Sequence, residues 1–236
     1  MREAVIITGG ARRVGAAMAV YFASKNFDIA LHYNNSEDDA LALQQKLRSL
    51  GVNCELFQQD LRDTAKIPAL MADIRAKMPN VVALINNASI FERAEFMETD
   101  EALFDRQLAV NFKAPFFLTQ AFAKVFGGSV INLLDTDIVT NQTSHFAYLL
   151  SKKTLAEFTK MAAKSLGSSV RVNGVCPTIV LPSNELDIDY MNKLEKTLPL
   201  QTQISLEEIA EVAYWLTQQK TITGQMIFVD GGKHVL

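Results

Sequence analysis

The stretch Ala4-Val5-Ile6-Ile7-Thr8-Gly9-Gly10-Ala11-Arg12-Arg13-Val14-Gly15 sets a short apolar run directly against a glycine-containing turn, and a segment of helical period follows at once. An apolar run of this length, closed by glycine, reads as a buried strand entering a tight turn. Glycines at such a junction let the backbone approach a pyrophosphate, and the free amides of the next helix favour its negative charge. A plain strand-to-helix turn shares the pattern, and Arg13 stands where many phosphate-binding loops carry a third glycine. The rest of the chain decides between the two.

Outward from this stretch, runs rich in Val and Ile alternate with longer segments of helical period. The strands expected are Ala4–Thr8, Asp28–Tyr33, Asn53–Gln58, Val81–Asn86, Ser129–Leu134, Val170–Val175 and Met226–Val229. The helices expected run from about Arg13 to Ser24, Glu37 to Leu50, Thr64 to Lys77, Glu101 to Val125, His145 to Leu166 and Leu206 to Gln218. This alternation predicts an α/β fold with a seven-stranded parallel sheet and helices on both faces. No repeat, low-complexity tract or linker interrupts it, so residues 1–236 are expected to form a single domain.

Composition narrows the partners. The 236 residues carry a net charge of −3, and the 23 basic residues are scattered, which argues against nucleic acid and for a small molecule. Cys54 and Cys176 lie in apolar segments and read as reduced core thiols. No metal-ligand spacing joins them to His32, His145 or His234. The apolar run before Thr8 is too short for a signal peptide, and Val14–Ala23 is too short to span a bilayer, so a cytoplasmic protein is expected.

The second strand ends His32-Tyr33-Asn34-Asn35-Ser36. An acid at that tip would accept from the ribose hydroxyls of NAD. None is present, and Arg12 and Arg13 could approach a 2'-phosphate, which favours NADPH. Glu37, Asp38 and Asp39 read as first-turn acids of a helix capped by Ser36. Asp60 and Leu61 follow the third strand, and Asn87, Ala88, Ser89 and Phe91 follow the fourth, at the sheet end where open α/β folds bind ligands. Loop satisfaction is the alternative reading for the Asp and Asn. Asn111, inside LAVNFKAPFFL, is a polar residue on an apolar helix face and needs buried partners.

Asp135 to Lys152 reads DTDIVTNQTSHFAYLLSK and puts Tyr148 and Lys152 on one helix face. A phenol has a reference pKa of about 10. An ammonium about 5 Å away, at an effective dielectric of about 20, would favour the phenolate by about 3 kcal/mol and lower that pKa by about two. Tyr148 is then expected to exchange a proton near neutral pH. By itself the spacing also describes an ordinary amphipathic pair.

Taken together these residues resemble the short-chain dehydrogenase/reductase family over essentially the whole chain. TGGARRVG, NNAS at Asn86–Ser89, Asn111, YLLSK at Tyr148–Lys152, NGVCP at Asn173–Pro177 and VDGG at Val229–Gly232 occur in family order. The resemblance implies a Rossmann fold and a homotetramer built largely through the long helices containing Asn111 and Tyr148. It implies that Tyr148 is the proton donor, that Lys152 binds the nicotinamide ribose and acidifies the phenol, and that Asn111 holds a proton-relay water. The implied cofactor contacts are Gly9, Arg12, Arg13 and Val14; His32, Tyr33, Asn34 and Ser36; Asp60 and Leu61; Asn87, Ala88 and Ser89; and Tyr148, Lys152 and Pro177.

Two departures sharpen the resemblance. Arg13 replaces the family's usual glycine, and Asp135 replaces its usual catalytic serine; both are similar to pteridine reductases, as is TNQ at Thr140–Gln142. The segment Asn173–Leu236, with PTIVLPSNE and DGGKHV, is similar to bacterial dihydromonapterin reductases. On that resemblance Ser89 would hydrogen-bond the pterin or cofactor, Phe91 would stack on the pterin, and Asp135 and Tyr148 would complete the substrate set. Thr178, where many members have glycine, and Asn34 and Asn35, where more basic residues can stand, depart from these patterns. The second departure leaves selectivity for NADPH over NADH open.

The expected activity is NADPH-dependent reduction of a dihydropterin to its tetrahydro form. An ionised Asp135 would repel the alkoxide that develops in ketone reduction, whereas pterins offer ring nitrogens and N–H groups to a carboxyl. Alternatives are a reductase of carbonyl substrates such as 3-oxoacyl thioesters, and a non-catalytic dinucleotide sensor. Asp135 could also be a loop acid beside Asp137. A substrate loop is expected over about 178–200, where Leu181, Leu186, Met191 and Leu194 form a lid or pack a short helix.

Overall fold

The computed structural model describes residues 2–181, 191, 193 and 195–236. Part of the expected substrate loop, residues 182–190, 192 and 194, with Leu186 and Leu194, lies outside these residues. The described residues form seven strands: β1 (Ala4–Ile7), β2 (Asp28–Tyr33), β3 (Cys54–Gln58), β4 (Val81–Asn86), β5 (Gly128–Leu133), β6 (Val170–Pro177) and β7 (Met226–Val229). They form one sheet in the order β3-β2-β1-β4-β5-β6-β7, every neighbouring pair parallel. The bounds differ from expectation by a residue or two at strand ends, where hydrogen bonding fades.

Strand alternation divides the core. Val5 and Ile7 point to one face, where Met18 and Phe22 of α1 (Arg13–Ser24), Leu43 and Leu47 of α2 (Glu37–Ser49) and Ile209 and Leu216 of a late helix (Leu206–Gln218) cover them. Ala4 and Ile6 point to the other face, against Ile67, Met71 and Ile74 of α3 (Ile67–Lys77) and residues of two central helices. Both faces are therefore buried, as continuous apolar strands require. Phe22 is fully buried, and its truncation to Ala should destabilise the fold by about 3–5 kcal/mol.

The expected helix from Glu101 to Val125 is present but not regular. It divides into α4 (Glu101–Leu108), a π turn over Ala109–Lys113, and α5 (Ala114–Val125). Pro115 supplies the reason: it has no N–H, and its ring crowds the carbonyl four residues earlier, which belongs to Asn111. Helix α6 (Phe146–Leu166) and the late helix, α7, are single. Helix α7 starts at a reciprocal cap in which Ser205 and Glu208 bond each other's backbone amides.

Candidate active site

The strand order reverses between β1 and β4, and there a cleft of about 630 Å³ opens at the carboxyl ends of the strands. Every expected cofactor contact except Tyr148, Lys152 and Pro177 lines it. Its floor is stitched by Thr8, whose hydroxyl donates to the Ile85 carbonyl and accepts from the amides of Asn87 and Ala88. The Asn87 side chain donates to the carbonyls of Thr8 and Gly9. A Cβ on Gly15 would lie 2.3 Å from the Gly9 carbonyl oxygen, so only glycine lets α1 begin this close to the strand.

His32 lines the cleft but spends both ring nitrogens inside the protein. Nδ1 accepts from the Gly9 amide at 3.1 Å, and Nε2 faces the Gln59 carbonyl at 2.9 Å, which fixes a neutral ring with its proton on Nε2. Burial lowers its pKa to about 4, against smaller opposing effects of the Gln59 carbonyl and Asp60. His32 is thus a tie between the glycine loop and the end of β3.

The charges at the mouth are also engaged. Arg12 pairs with Asp39 at 3.0 Å, so Asp39 does more than complement the dipole of α2. Arg13 adopts φ 53°, the left-handed conformation that the expected glycine would take, and donates to the Leu181 carbonyl at 3.1 Å. Asp60 is clasped by Arg62, whose hydrogen bonds hold its carboxyl below the usual range despite partial burial. Ser36 precedes α2, but its side chain makes no capping hydrogen bond, a correction to the expected cap. Tyr33 is buried, while Asn34 is exposed and its carbonyl accepts from Gln58.

Asn111 sits in the π turn, buried and fully partnered. Its Oδ1 accepts from the Ser89 hydroxyl at 3.0 Å and the Ile90 amide at 2.9 Å; its Nδ2 donates to the Ile90 carbonyl and to Ser151 Oγ. Ser151 in turn donates to the Tyr148 carbonyl at 2.6 Å. The side chain therefore ties the loop after β4 to α6, and Pro115 removes the helical donor that would otherwise reach its carbonyl.

Asp135 follows β5 in extended conformation and divides its carboxylate. Oδ1 accepts from the Asp137 amide at 2.8 Å, closing a 3-10 turn over Thr136–Val139, and Oδ2 accepts from the Tyr148 hydroxyl at 2.9 Å. The loop-acid and site readings of Asp135 thus hold together, one oxygen each. Lys152 is buried, and its ammonium donates to the Leu133 carbonyl at 2.8 Å while standing 5.8 Å from the Tyr148 ring centre. Phe91 meets Tyr148 edge-on at 4.8 Å and remains 46 % exposed; His145 adjoins both rings. Pro177 ends β6 beside Val229.

The expected acidification of Tyr148 is not found. Desolvation, then the charge of Asp135, the hydrogen bond to it, and the charge of Asp137 push the phenol well above its ordinary value. Burial lowers Lys152 to about 8, against the pull of Asp135 and Cys176. The spacing argument counted the ammonium alone; burial of the phenol, reinforced by two carboxylates from another segment, sets the direction instead. Cys54 and Cys176 are buried free thiols, both pushed up by burial, Cys54 to about 12. Among the described residues no cluster of three His, Cys, Asp or Glu is arranged for a metal, and no helix is long and apolar enough to cross a membrane.

The parallel sheet with this reversal, the glycine turn and the Tyr148–Lys152 pair define a dinucleotide-fold oxidoreductase. Consistent with this, the family model described as Enoyl-(Acyl carrier protein) reductase matches residues 9–234. The chain belongs to the short-chain dehydrogenase/reductase family. Its relatives divide by activity. It is similar to the FolM alternative dihydrofolate reductase 1 of Brucella canis, solved in complex with NADP, at 32 % identity and TM-score 0.94, covering 99 % of this chain and 94 % of that one. It is 25 % identical to the dihydromonapterin reductase of Enterobacter sp. (strain 638), over 97 % of this chain and 95 % of that protein. It is also 25 % identical to the 3-oxoacyl-[acyl-carrier-protein] reductase FabG of Staphylococcus epidermidis (strain ATCC 35984), over the full length of both.

Proposed function

We propose that this protein reduces a 7,8-dihydropterin to the tetrahydropterin with NADPH. The observation that carries the reading is the Asp135–Tyr148 hydrogen bond, a carboxylate where a carbonyl reductase places a neutral donor. The Brucella and Enterobacter relatives support it.

The bare glycine loop at the N-terminus of α1 fits a dinucleotide pyrophosphate, and the cleft is continuous with Asp60–Leu61 and Asn87–Ser89. Arg12 and Arg13 would meet a 2'-phosphate, and Lys152 a ribose. NADPH, when bound, supplies the hydride that adds at C6 of the pterin. Tyr148 gives its proton to N5, and Asp135 aligns the phenol and accepts from an N–H group on the ring. Phe91 covers the ring with its exposed face, and the Ser89 hydroxyl fixes its edge. The Asn111 carbonyl orients a water that returns the proton to Tyr148.

Loss of NADPH absorbance with dihydromonapterin, dihydrobiopterin, dihydrofolate and an acetoacetyl thioester tests the reading. Turnover of dihydropterins but not the thioester is the expected result. Turnover of the thioester alone would move the chain to the carbonyl reductases, the reading that the Staphylococcus relative favours. A homotetramer in a cytoplasmic setting belongs to the same proposal: Phe116 of α5 and Leu150 and Met161 of α6 remain exposed on the helices expected to meet partner copies.

A further inference from the structure

The turn that carries Asp135 is locked from a distance. Asp137 receives the Lys233 ammonium on both carboxylate oxygens at 2.9 Å, with the two side chains only 11 % and 17 % exposed. Beside it, the Thr136 hydroxyl donates to Asp230 at 2.5 Å. Asp230 also accepts from the amides of Gly232 and His234, and the His234 ring stacks on Phe228 at 4.2 Å. Gly231 and Gly232 have φ 64° and 89°, which turns Lys233 back toward the site.

This arrangement does not belong to the proton donor's own contacts, yet it governs the charge around it. Around Tyr148 stand Asp135 and Asp137 from the turn after β5, His145 just before α6 and Lys152 within it; Lys233, from the segment after β7, pairs with Asp137, Arg93 reaches Phe91 from the loop after β4, and Cys176 of β6 lies by Lys152. Both carboxylates belong to the one turn that meets the phenol through Asp135. Only Asp135 accepts its proton; Asp137 would add unwanted negative charge.

We propose that Lys233 is a positioning residue for the reaction. Its ammonium offsets part of the Asp137 charge that reaches Tyr148, and it holds the amide of Asp137 against Asp135. The inference rests on Tyr148 being the proton donor. An uncompensated Asp137 strengthens the phenol's hold on its proton and makes it a poorer acid.

The test compares Lys233→Met, Lys233→Arg and the double variant Asp137→Asn/Lys233→Met, assayed on whichever substrate the unaltered enzyme turns over. Lys233→Met should lower kcat at least tenfold, leave NADPH affinity by fluorescence within twofold, and enlarge the solvent deuterium isotope effect on kcat. Lys233→Arg should recover most of the rate. The double variant, with no stray charge, should return the isotope effect to its original size. Full activity in Lys233→Met overturns the proposal. So does a loss of NADPH binding parallel to the loss of kcat, or a double variant whose isotope effect stays enlarged. If the unaltered enzyme reduces only the thioester, the pterin reading fails while the role of Lys233 is still decided on that substrate.

Discussion

Tyr148 donates its hydroxyl proton to Asp135 at 2.9 Å, so the phenol in this site is held by a carboxylate rather than freed by an ammonium. Replacing that acceptor separates the proposed chemistry from binding. Asp135→Ser should lower dihydropterin reduction more than tenfold while NADPH binding persists, since its two carboxylate oxygens serve the Asp137 amide and the Tyr148 hydroxyl. An unchanged rate would remove Asp135 from the mechanism.

Tyr148→Phe deletes the proton donor but keeps the ring that packs on Phe91. A positioned acid contributes about 10²–10⁴-fold, so kcat should fall by that order with cofactor affinity intact. Fluorescence titration with NADPH, run beside turnover, distinguishes this outcome from a collapsed site.

Acid should weaken the fold through His32. Its pKa is about 4 when folded and buried, below the ordinary 6.5. The unfolded chain therefore binds more protons between those values, and stability falls as pH drops from about 6.5 toward 4, by about 3 kcal/mol from this group. Urea unfolding at stepped pH should show this slope, and His32→Gln should flatten it.

Arg12 is shared between Asp39 and the mouth of the cleft. Asp39→Asn removes a negative charge from the expected 2'-phosphate position. KM for NADPH should drop about threefold at low salt while KM for NADH holds, and the difference should shrink as ionic strength rises. Equal changes for both cofactors would place the phosphate elsewhere.

Pro115→Ala restores a backbone donor opposite the Asn111 carbonyl. The π turn should tighten toward regular helix, raising Tm slightly while kcat falls several-fold because Asn111 leaves its place between Ile90 and Ser151. Parallel melting curves and turnover measure both.

The sheet was readable because each strand is a short apolar run ended by a turn residue, a signal that survives without any distant partner. That Gly9, Asp60 and Asn87 line one cleft follows from their places just after strands, at the same end of the sheet. The π turn before α5 was also written in the chain, at Pro115, but helical period along LAVNFKAPFFL masked it. What local reading could not reach were partners brought from afar. The upward push on Tyr148 comes from burial and then from Asp135 and Asp137, and Asp137 is paired with Lys233, 96 residues away. Likewise His32 looked free to face a ligand until Gly9 and Gln59 took both its nitrogens.

Thr8 bonds Ile85, Asn87 and Ala88, residues 77 to 80 positions distant, and these bonds make the floor of the cleft. A chain folded only through β3 has no such floor, nor does one that has lost β4. Partly unfolded species therefore have nothing with which to hold a dinucleotide, and saturating ligand at about 100 times Kd should raise global unfolding free energy by about 2.7 kcal/mol without protecting any fragment. In limited proteolysis, added cofactor should thus shield both halves of the chain at once, making ligand occupancy a gauge of cooperative folding.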